Sequence, residues 1–585
     1  TVTDSSGHYT LLLAPGLYNV TASAFGYYSQ TVTGIAVMPG ATATVDFSLQ
    51  PMPTGTLEVY VHAASTGEPV TAEISLPGTP LTATASFWAF SLPAGDYTVV
   101  AKALGYRVAS TTATVTVGET TTVTFSLTSA PSILLVDSGA WYYGSQIAYY
   151  RQALDDLAYA YDEWTIRRIP DDIPTEGYLK HYDLVIWSSP QDAPGYIGAQ
   201  KAITGYLSAG GKLFLSGQDI GFLDGGGVGF APYYYQYLKA RFVQDSSDIW
   251  SLEGLADGPF AGLALSISGG DGANNQFFPD VVEPADPDEA LPILAYSGDG
   301  YGGLAVGICL DYRALYLSFG FEAIADRASR REVMERAISW LTSPPPQAGL
   351  EVKPATQTLI GRPGSVVTHT FEIRNIGRGG AENIAISLEG SSWPTIPSSW
   401  SITLAPCTTA TLEIAVTIPA DAGWNEQDAL TITLHSSLSP TLSVQAIAIT
   451  KTPAPILLVD DDRWYDQEEK YERAMAEAGF PYDLWHANEY PIPLDRLSWY
   501  PIVVWWTGYD WYAPVTAEEE EALADYILKG GRLFLSSQDF LFCRSPAGSS
   551  FCQGTGSLPP LLGVLTWTDD VTPTLAVGVP EEPIG

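Results

Sequence analysis

The chain has 585 residues, a length that predicts about four domains and not one. Its 65 Asp and Glu outweigh 27 Lys and Arg, and this net charge of −38 argues against nucleic acid or an anionic membrane surface as partners. Only 16% of the residues are charged and 46% are hydrophobic, which excludes a disordered acidic chain. No apolar run approaches the ~20 residues that span a bilayer, so we predict no membrane span.

Two stretches near the N-terminus repeat one pattern. APGLYNVTASAFGYYSQ (residues 14–30) aligns with PAGDYTVVAKALGYRVA (residues 93–109), and ATVDFSL (residues 43–49) aligns with TTVTFSL (residues 121–127). Apolar residues alternate with Thr and Ser between the matched positions, which predicts half-buried antiparallel strands. The G-x-Y, G-Y and F-x-L positions resemble the carboxypeptidase regulatory-like repeat, which implies a small transthyretin-like β-sandwich.

The resemblance assigns residues 51–129 to one complete repeat and residues 1–50 to a partial one. The first copy starts at a D-x-x-G-x-Y turn that belongs in the middle of such a domain, so its opening strands are not in the sequence. We expect either that the chain is a fragment of a longer polypeptide or that another molecule supplies the missing strand.

A larger duplication relates two α/β regions. ILLVD occurs at residues 133–137 and 456–460, and YLSAGGKLFLSGQD (residues 206–219) matches YILKGGRLFLSSQD (residues 526–539). Nearly continuous Ile, Leu and Val runs are typical of parallel strands buried on both faces. Helical patterns lie between them, so the sequence predicts two doubly wound α/β domains, the second truncated.

Between the α/β regions, a Pro-rich linker (TSPPPQ) precedes about 100 residues of alternating strands with turns at sandwich spacing. The Asn375-Ile376-Gly377 turn after a T-F-E-I-R strand resembles the Ig-like domains of secreted bacterial glycosidases and peptidases. The predicted fold is therefore multidomain, with antiparallel β-sandwiches (transthyretin-like and Ig-like) alternating with doubly wound α/β domains. The predicted domains are residues 1–50, 51–129, 130–342, 343–452 and 453–585.

In the α/β copies, GGKLFLSGQD follows DLVIWSSP, an order that resembles the flavodoxin-like class I glutamine amidotransferases. That family carries a Cys nucleophile at the elbow after the fourth strand and a later His as base. Here Ser216-Gly217 and Ser536-Ser537 occupy the elbows, and none of the six histidines follows an elbow at a triad-like position. The flanks also lack the G-x-S-x-G of serine hydrolases, so we predict no catalytic residue and interpret the small residues as tight-turn formers.

Acidic residues mark the carboxyl ends of the predicted strands. Asp137 and the run Asp460-Asp461-Asp462 follow the first strands, and Asp219 and Asp539 follow the fourth. Ligands bind at this edge of open α/β sheets, and clustered carboxylates there suit Ca²⁺ or Mg²⁺. The interpretation we favour is helix N-terminal capping, with a structural Ca²⁺ and a catalytic role as alternatives. No other cofactor is predicted.

Aromatic residues and cysteines provide the remaining signals. Three aromatic clusters are unusually dense: Trp141-Tyr142-Tyr143, Tyr233-Tyr234-Tyr235, and Trp505-Trp506 with Trp511. Such clusters serve in core packing, in protein interfaces or in stacking on glycans. Cys543 and Cys552 have the spacing of a small disulfide, whereas Cys309 and Cys407 are predicted to be lone core or strand residues. Asn19 begins an N-x-T glycosylation sequon.

Three functional hypotheses follow from these patterns. The first is a non-catalytic extracellular or cell-surface structural protein, a spacer, adhesin or filament subunit, that binds itself or other surface proteins. In one variant, a strand donated by a neighbouring subunit builds a polymer. The second is an accessory region of a secreted subtilisin-like or other peptidase whose catalytic domain lies outside this chain. The third is a glycan-binding module that uses the aromatic clusters.

Overall fold

A computed structural model describes residues 1–142, 144–298, 300–463, 467–487, 491–545, 548, 552 and 554–567. The chain forms two compact units, one spanning Thr1–Pro344 and one that begins at Pro345. Strand residues make up 38% of the chain and helical residues 17%, so the protein is β-rich and multidomain, as predicted. No helix in the described ranges is long and apolar enough to cross a membrane.

The first unit opens with the two N-terminal repeats. In the first repeat, β1 (Gly16–Ala22) pairs antiparallel with β2 (Gln30–Val37). The second repeat has two sheets, of order β6-β3-β9 and β5-β4-β7-β8, whose facing apolar side chains form a sandwich core. Its strands are β3 (Thr54–Ala63), β4 (Ala72–Ser75), β5 (Thr82–Ala85), β6 (Phe87–Pro93), β7 (Gly95–Lys102), β8 (Ala109–Val115) and β9 (Thr120–Leu127).

The α/β part of the first unit contains eleven strands in one mixed sheet. These are β10 (Ile133–Asp137), β11 (Tyr161–Thr165), β12 (Leu184–Ser188), β13 (Lys212–Ser216), β14 (Ala240–Gln244), β15 (Ser251–Gly254), β16 (Ala264–Ser266), β17 (Val281–Pro284), β18 (Ala290–Tyr296), β19 (Tyr301–Val306) and β20 (Arg313–Leu317). The helices are α1 (Ile147–Asp156), α2 (Glu176–Leu179), α3 (Gln200–Ser208), α4 (Ile220–Asp224), α5 (Pro232–Gln236) and α6 (Arg327–Thr342), with 3₁₀ turns at Gly139–Trp141 and Phe321–Ala323.

Five strands of this sheet run parallel in the order β11-β10-β12-β13-β20. All five residues of β10 are buried, because helices cover both faces of the sheet. Beyond β20 the sheet continues through antiparallel strands that begin with β19, an extension that the sequence pattern did not predict. Helix α6 packs its apolar face on the sheet, as predicted from its spacing, through Val333, Met334, Ala337, Ile338 and Leu341.

The second unit begins with a two-sheet sandwich of nine strands. The sheets have the orders β21-β23-β27-β25 and β22-β29-β28-β24-β26, and their facing side chains form one core. The strands are β21 (Leu350–Lys353), β22 (Thr356–Ile360), β23 (Val366–Asn375), β24 (Glu382–Glu389), β25 (Thr395–Pro397), β26 (Ser401–Leu404), β27 (Thr409–Thr417), β28 (Gln427–His435) and β29 (Ser443–Lys451).

The second α/β copy follows as a parallel sheet of order β31-β30-β32-β33. Its elements are β30 (Ile456–Asp460), β31 (Tyr482–His486), β32 (Ile502–Gly508), β33 (Arg532–Ser537), α7 (Glu468–Ala478), α8 (Ala517–Leu528) and α9 (Leu558–Leu561), with 3₁₀ turns at Leu494–Trp499 and Phe542–Arg544. Helix α8 begins with the capping box of Thr516 and Glu519 that its sequence predicts.

The two α/β copies differ in how well their sheets are covered. Phe214 of β13 is 1% exposed beneath the 3₁₀ turn that carries Phe321, and the two rings lie 5.9 Å apart. Phe534, at the equivalent position of β33, is 54% exposed. Among the described residues, this shared position is therefore covered in the first copy and exposed in the second.

Candidate functional site

The serine at the elbow of the first α/β copy is enclosed. Ser216 is 1% exposed, its hydroxyl lies 2.6 Å from the Tyr150 hydroxyl, and it accepts the Phe321 amide at 3.3 Å. Tyr150 donates to Glu322 at 3.1 Å, and burial raises the pKa of both groups. A nucleophile must meet its substrate, so this network has the properties of a satisfied polar core and not of a reactive elbow.

The corresponding place in the second copy is an open cleft. Tyr471, the equivalent of Tyr150, stacks on Trp506 with ring centroids 4.2 Å apart. Tyr471, Gly508, Tyr509 and Gln538 line a cavity of about 520 Å³ at the carboxyl end of the sheet, and the inaccessible Trp506 lies beneath the Tyr471 ring. Ser536 is half-buried at the end of β33 beside this edge.

The acids of the first copy gather at the carboxyl edge, as their positions after the strands predict. Asp137 is buried, and burial raises its pKa. Burial also raises the pKa of Asp219 to about 7, with further contributions from the charges of Asp245 and Asp192. Asp192, which the sequence analysis did not select, accepts from Ser138 at 2.6 Å and has its pKa raised by burial to about 6.

Asp219 lies at a helix N-terminus, where the capping interpretation places it. This residue is at the N-cap of α4, but its side chain accepts no capping hydrogen bond. Asp280 provides the cap instead, accepting from the amides of Gly221 at 2.7 Å and Phe222 at 3.3 Å. Asp280 lies about 60 residues away in the chain, so no local sequence signal marks it as the capping residue.

The acids of the second copy pair with neighbouring side chains. Asp460 lies 3.1 Å from Nδ1 of His486, and Asp461 accepts from the indole of Trp505 at 3.1 Å. Burial, followed by the charge of Glu519, raises the pKa of Asp461 to about 8. Asp539 is half-buried just after β33.

These acids do not converge on one point. Within the ranges that the structure describes, no group of three or more His, Cys, Asp and Glu side chains is arranged to hold a metal ion. Asp280 accepts from two backbone amides, Asp461 accepts from an indole, and Asp460 lies beside an imidazole.

Most of the predicted aromatic clusters lie in the core. Tyr233, Tyr234, Trp505 and Trp506 are essentially inaccessible, because their strands and helices turn them towards the sheets. They cannot stack on a glycan without unfolding. Exposed rings remain on Tyr142, Tyr235 and Trp511, whereas Tyr143 lies outside the described residues.

The cysteines are all oxidised. Cys543 and Cys552 form a disulfide with their Cα atoms 5.3 Å apart. The prediction that Cys309 and Cys407 are lone residues was wrong, because both are disulfide-bonded. Asn19 is exposed on β1, where its side-chain oxygen accepts from the amide of Gly34 at 3.1 Å.

Individual hydrogen bonds and strand pairings of the second repeat recur in the first repeat. Tyr18 donates to the carbonyl of Ala14 at 2.8 Å, and Tyr97 donates to that of Pro93 at 3.0 Å. The β1–β2 and β7–β8 hairpins begin in one register, with Gly16 opposite Val37 and Gly95 opposite Val115. The glycines that follow each hairpin's first strand, Gly26 and Gly105, also share a positive φ of 83° and 84°.

The segment after β2 follows the path of β9. The Tyr28 amide donates to Gln50 at 2.9 Å, as the Arg107 amide donates to Thr128 at 2.8 Å. Residues 42–49 nevertheless form no strand, although their sequence matches β9. In the second repeat, β9 pairs with β3, which also pairs with β6 on its other side. Residues 1–50, all of which the structure describes, contain no counterpart of β3.

We call the gap between residues 8–13 and residues 42–49 the strand slot. Leu13, which lies beside the strand slot, is 40% exposed, whereas Leu92, the equivalent residue of the second repeat, is 0% exposed. Tyr9 reaches across the gap and donates to the carbonyl of Val45 at 2.9 Å. A tyrosine side chain that bridges two backbones in this way is long enough to join strands about two strand spacings apart, or ~9.6 Å.

Comparisons with known proteins bear on the N-terminal region. Residues 1–50 match the model of the carboxypeptidase regulatory-like domain, which confirms that part of the sequence prediction. Human carboxypeptidase D is 40% identical over 73 residues, which is 12% of this chain and 5% of the relative. Rat carboxypeptidase D is 38% identical over 74 residues, 13% of this chain and 5% of the relative. The chain thus spans about one twentieth of the length of these relatives.

Among solved structures, the ASH/PapD-like domain of human CEP192 is 14% identical and has a TM-score of 0.17, over 19% of this chain and 89% of that domain. A family 123 glycoside hydrolase from Clostridium perfringens is 11% identical with a TM-score of 0.16, over 28% of this chain and 39% of the hydrolase. Scores this low carry no information about the fold or function of this protein.

Proposed function

We propose that this protein is a non-catalytic structural protein of the cell exterior, a spacer, adhesin or filament subunit that binds itself or other surface proteins. The observation that carries the proposal is the combination of β-sandwich domains along the chain with an α/β elbow whose serine, Ser216, is 1% exposed. The enclosure of Ser216 supports the non-catalytic part of the proposal.

Three further assignments belong to this proposal. The parallel orders β11-β10-β12-β13-β20 and β31-β30-β32-β33 support a flavodoxin-like, amidotransferase-like fold for the first and second α/β copies. The two-sheet sandwich of the second unit supports an Ig-like domain. The oxidised state of Cys309, Cys407, Cys543 and Cys552 supports an extracellular or cell-surface location, where disulfides persist.

Sedimentation velocity of the purified chain across a hundredfold range of concentration tests the assembly role. We expect association that increases with concentration, and head-to-tail particles by electron microscopy. A monomer throughout the range would contradict the assembly proposal.

A second candidate is an accessory region of a secreted peptidase. The similarity to carboxypeptidase D favours it, because that relative is a peptidase by name and the matched family is regulatory. Sequencing the complete reading frame tests this candidate, which requires a peptidase domain in the same polypeptide.

A further inference from the structure

We infer that β6 (Phe87–Pro93) pairs antiparallel with β6 of a second copy of this chain, in a two-fold register centred on Ala89. This inference rests on the proposed function, because it names one surface through which the chain binds itself. It concerns the second repeat, which the structure describes throughout residues 51–129. β6 lies at the end of the sheet β6-β3-β9, so one of its edges faces β3 and its other edge faces no strand of that sheet.

Every second residue of β6 has its backbone groups on the open edge. The amide of Val61 donates to the carbonyl of Ser86 at 2.8 Å, so the even-numbered residues of β6 are the ones that bond to β3. The backbone groups of Phe87, Ala89 and Ser91 therefore point away from β3. All three residues are exposed, and outside the β3–β6 ladder the described part of the chain contains no hydrogen bond to their backbone groups.

The open edge of β6 lacks the features that usually keep strand edges apart. Proteins protect such edges with charged side chains, with proline or by making the strand very short. Two other edge strands of this chain follow that rule, since β11 carries Asp162 and Glu163, and β25 has three residues and ends in Pro397. β6 has seven uncharged residues, and its one proline is the last of them. Its edge is therefore accessible to another strand.

Charge makes a second copy of the chain a suitable occupant. Each copy has a net charge of −38, so two copies repel each other over most of their surfaces. Residues 74–95 contain no charged residue, although 16% of the chain is charged. They include β5 as well as β6, and β5 is the edge strand of the other sheet of the sandwich. This side of the second repeat therefore brings no like charges of its own edge strands together.

The open edge is self-complementary in one register. When Ala89 lies opposite Ala89 of the second copy, Phe87 lies opposite Ser91, and the free donors and acceptors of the two edges face each other. About six main-chain hydrogen bonds form in this register. Trp88, which is 48% exposed, then lies opposite Phe90 of the second copy with their Cα atoms ~4.5 Å apart. Aromatic cross-strand pairs of this kind stabilise a sheet.

Aromatic rings beside the edge are in place for this pairing. The rings of Tyr60 and Phe87 lie 4.6 Å apart and are 40% and 44% exposed, and the rings of Trp88 and Phe90 meet edge to face at 6.5 Å. A second β6 strand covers the exposed sides of Phe87 and Trp88. Removing this apolar surface from water favours association.

The charge on the neighbouring strand does not oppose the pairing. Glu58 of β3 lies opposite Ala89 in the β3–β6 pair. In the two-fold pair, the Glu58 residues of the two copies are three strand spacings apart, or about 14 Å. This separation exceeds the Debye length of ~8 Å at physiological ionic strength, so salt screens their repulsion.

Cysteine cross-linking tests the register directly. The native cysteines are all disulfide-bonded, so an added cysteine supplies the reactive thiol. Ala89→Cys places two thiols opposite each other with Cα atoms ~5.5 Å apart, which is within disulfide range. Mild oxidation should convert this variant to a covalent dimer. Ser91→Cys is the matched control on the same edge, and it should cross-link on the order of tenfold less, because its two thiols are about four residues, or ~14 Å, apart along the strands.

Sedimentation velocity of the intact chain gives a second test. Ala89→Pro removes an amide that faces the open edge, so β6 keeps its ladder with β3. We expect this variant to dimerise on the order of tenfold more weakly than the unmodified chain, because it loses the central hydrogen bonds of the pair. Ala89→Thr keeps the amide and favours a strand, so its dimerisation should change by less than about threefold. The cross-linking test does not depend on how the proline variant folds.

Equal cross-linking of the Ala89→Cys and Ser91→Cys chains would overturn the inference, as would the absence of a covalent dimer of Ala89→Cys. Cross-linking of Ala89→Cys to a different secreted protein in place of its own copy would also overturn it. The proposed function fails separately. A chain that associates equally well with Ala89→Pro would keep an assembly role and lose the β6 contact. Because a two-fold contact closes after two chains, longer particles require a further contact and are no test of β6.

Discussion

The two N-terminal repeats share a sequence pattern but differ in how much of the sandwich is present. Both form the same hairpin, in the same starting register and with the same tyrosine hydrogen bond to the fourth preceding residue. Residues 120–127 of the second repeat form β9, whereas the matching residues of the first form no strand. The hairpin is therefore a local structure, and the strand that follows it depends on the central strand β3.

The largest expected difference between the repeats is in the energy of core packing. Phe125 is 5% exposed in the second repeat, whereas its equivalent Phe47 is only half-buried. Phe125→Ala should destabilise the second repeat by about 3–5 kcal/mol, because it removes a ring from a closed core. Phe47→Ala should cost less than about 1 kcal/mol.

Hydrogen exchange read separately on residues 16–22 and 95–102 measures both changes, because it reports the local free energy of opening. Equal costs in the free chain would mean that the first repeat is closed in solution.

The α/β copies offer a similar comparison at the carboxyl edge of their sheets. Burial raises the pKa of Asp219 to about 7, above its value of ~4 in an unfolded chain. The folded state therefore prefers the protonated form, so stability is greatest below pH ~4 and declines as the pH rises to about 7. The full shift corresponds to an upper limit on the order of 4 kcal/mol.

Asp219→Asn should remove this decline and stabilise the first α/β copy at pH 8 by on the order of 2–4 kcal/mol. Urea unfolding at pH 5 and pH 8 measures the effect. Asp539→Asn is the matched control, since Asp539 occupies the equivalent place in the less enclosed copy. A gain for Asp219→Asn that is the same at both pH values would exclude proton binding as its cause.

The smallest effect concerns the feature that the repeats have in common. Tyr18→Phe and Tyr97→Phe each delete one hydroxyl that donates to a carbonyl four residues earlier. Each should cost about 1 kcal/mol of local stability, the net value of a hydrogen bond of this kind. A similar loss of exchange protection in the two hairpins would support a shared local structure, whereas a loss in only one would show that the hairpins are stabilised differently.

Much of the fold could be predicted from the periodicity of apolar residues and from the residues that begin helices. The period-two pattern of Thr, Ser and Val predicted the hairpin strands, and the Ile, Leu and Val run at residues 133–137 predicted a strand buried on both faces. Helix α8 begins where Thr516 and Glu519 indicate. These features depend on residues that are neighbours in the chain.

The candidate sites were less predictable, because they depend on distant residues. Asp280 caps α4 from about 60 positions away, and Asp192 receives its hydrogen bond from Ser138. Trp505 appears as one more aromatic residue in the sequence, and only the sheet shows that it is enclosed and donates to Asp461.

By itself, the sequence determined the hairpins, the buried strands, the helix starts and the duplications, since alternation and capping act over a few residues. Only the tertiary structure decided which acids are buried, which cysteines are oxidised and whether residues 42–49 become a strand. The physical reason is that a strand requires a partner for its backbone hydrogen bonds and a cover for its apolar face. In the second repeat β3 is that partner, whereas in the described residues of the first repeat no strand pairs with residues 42–49.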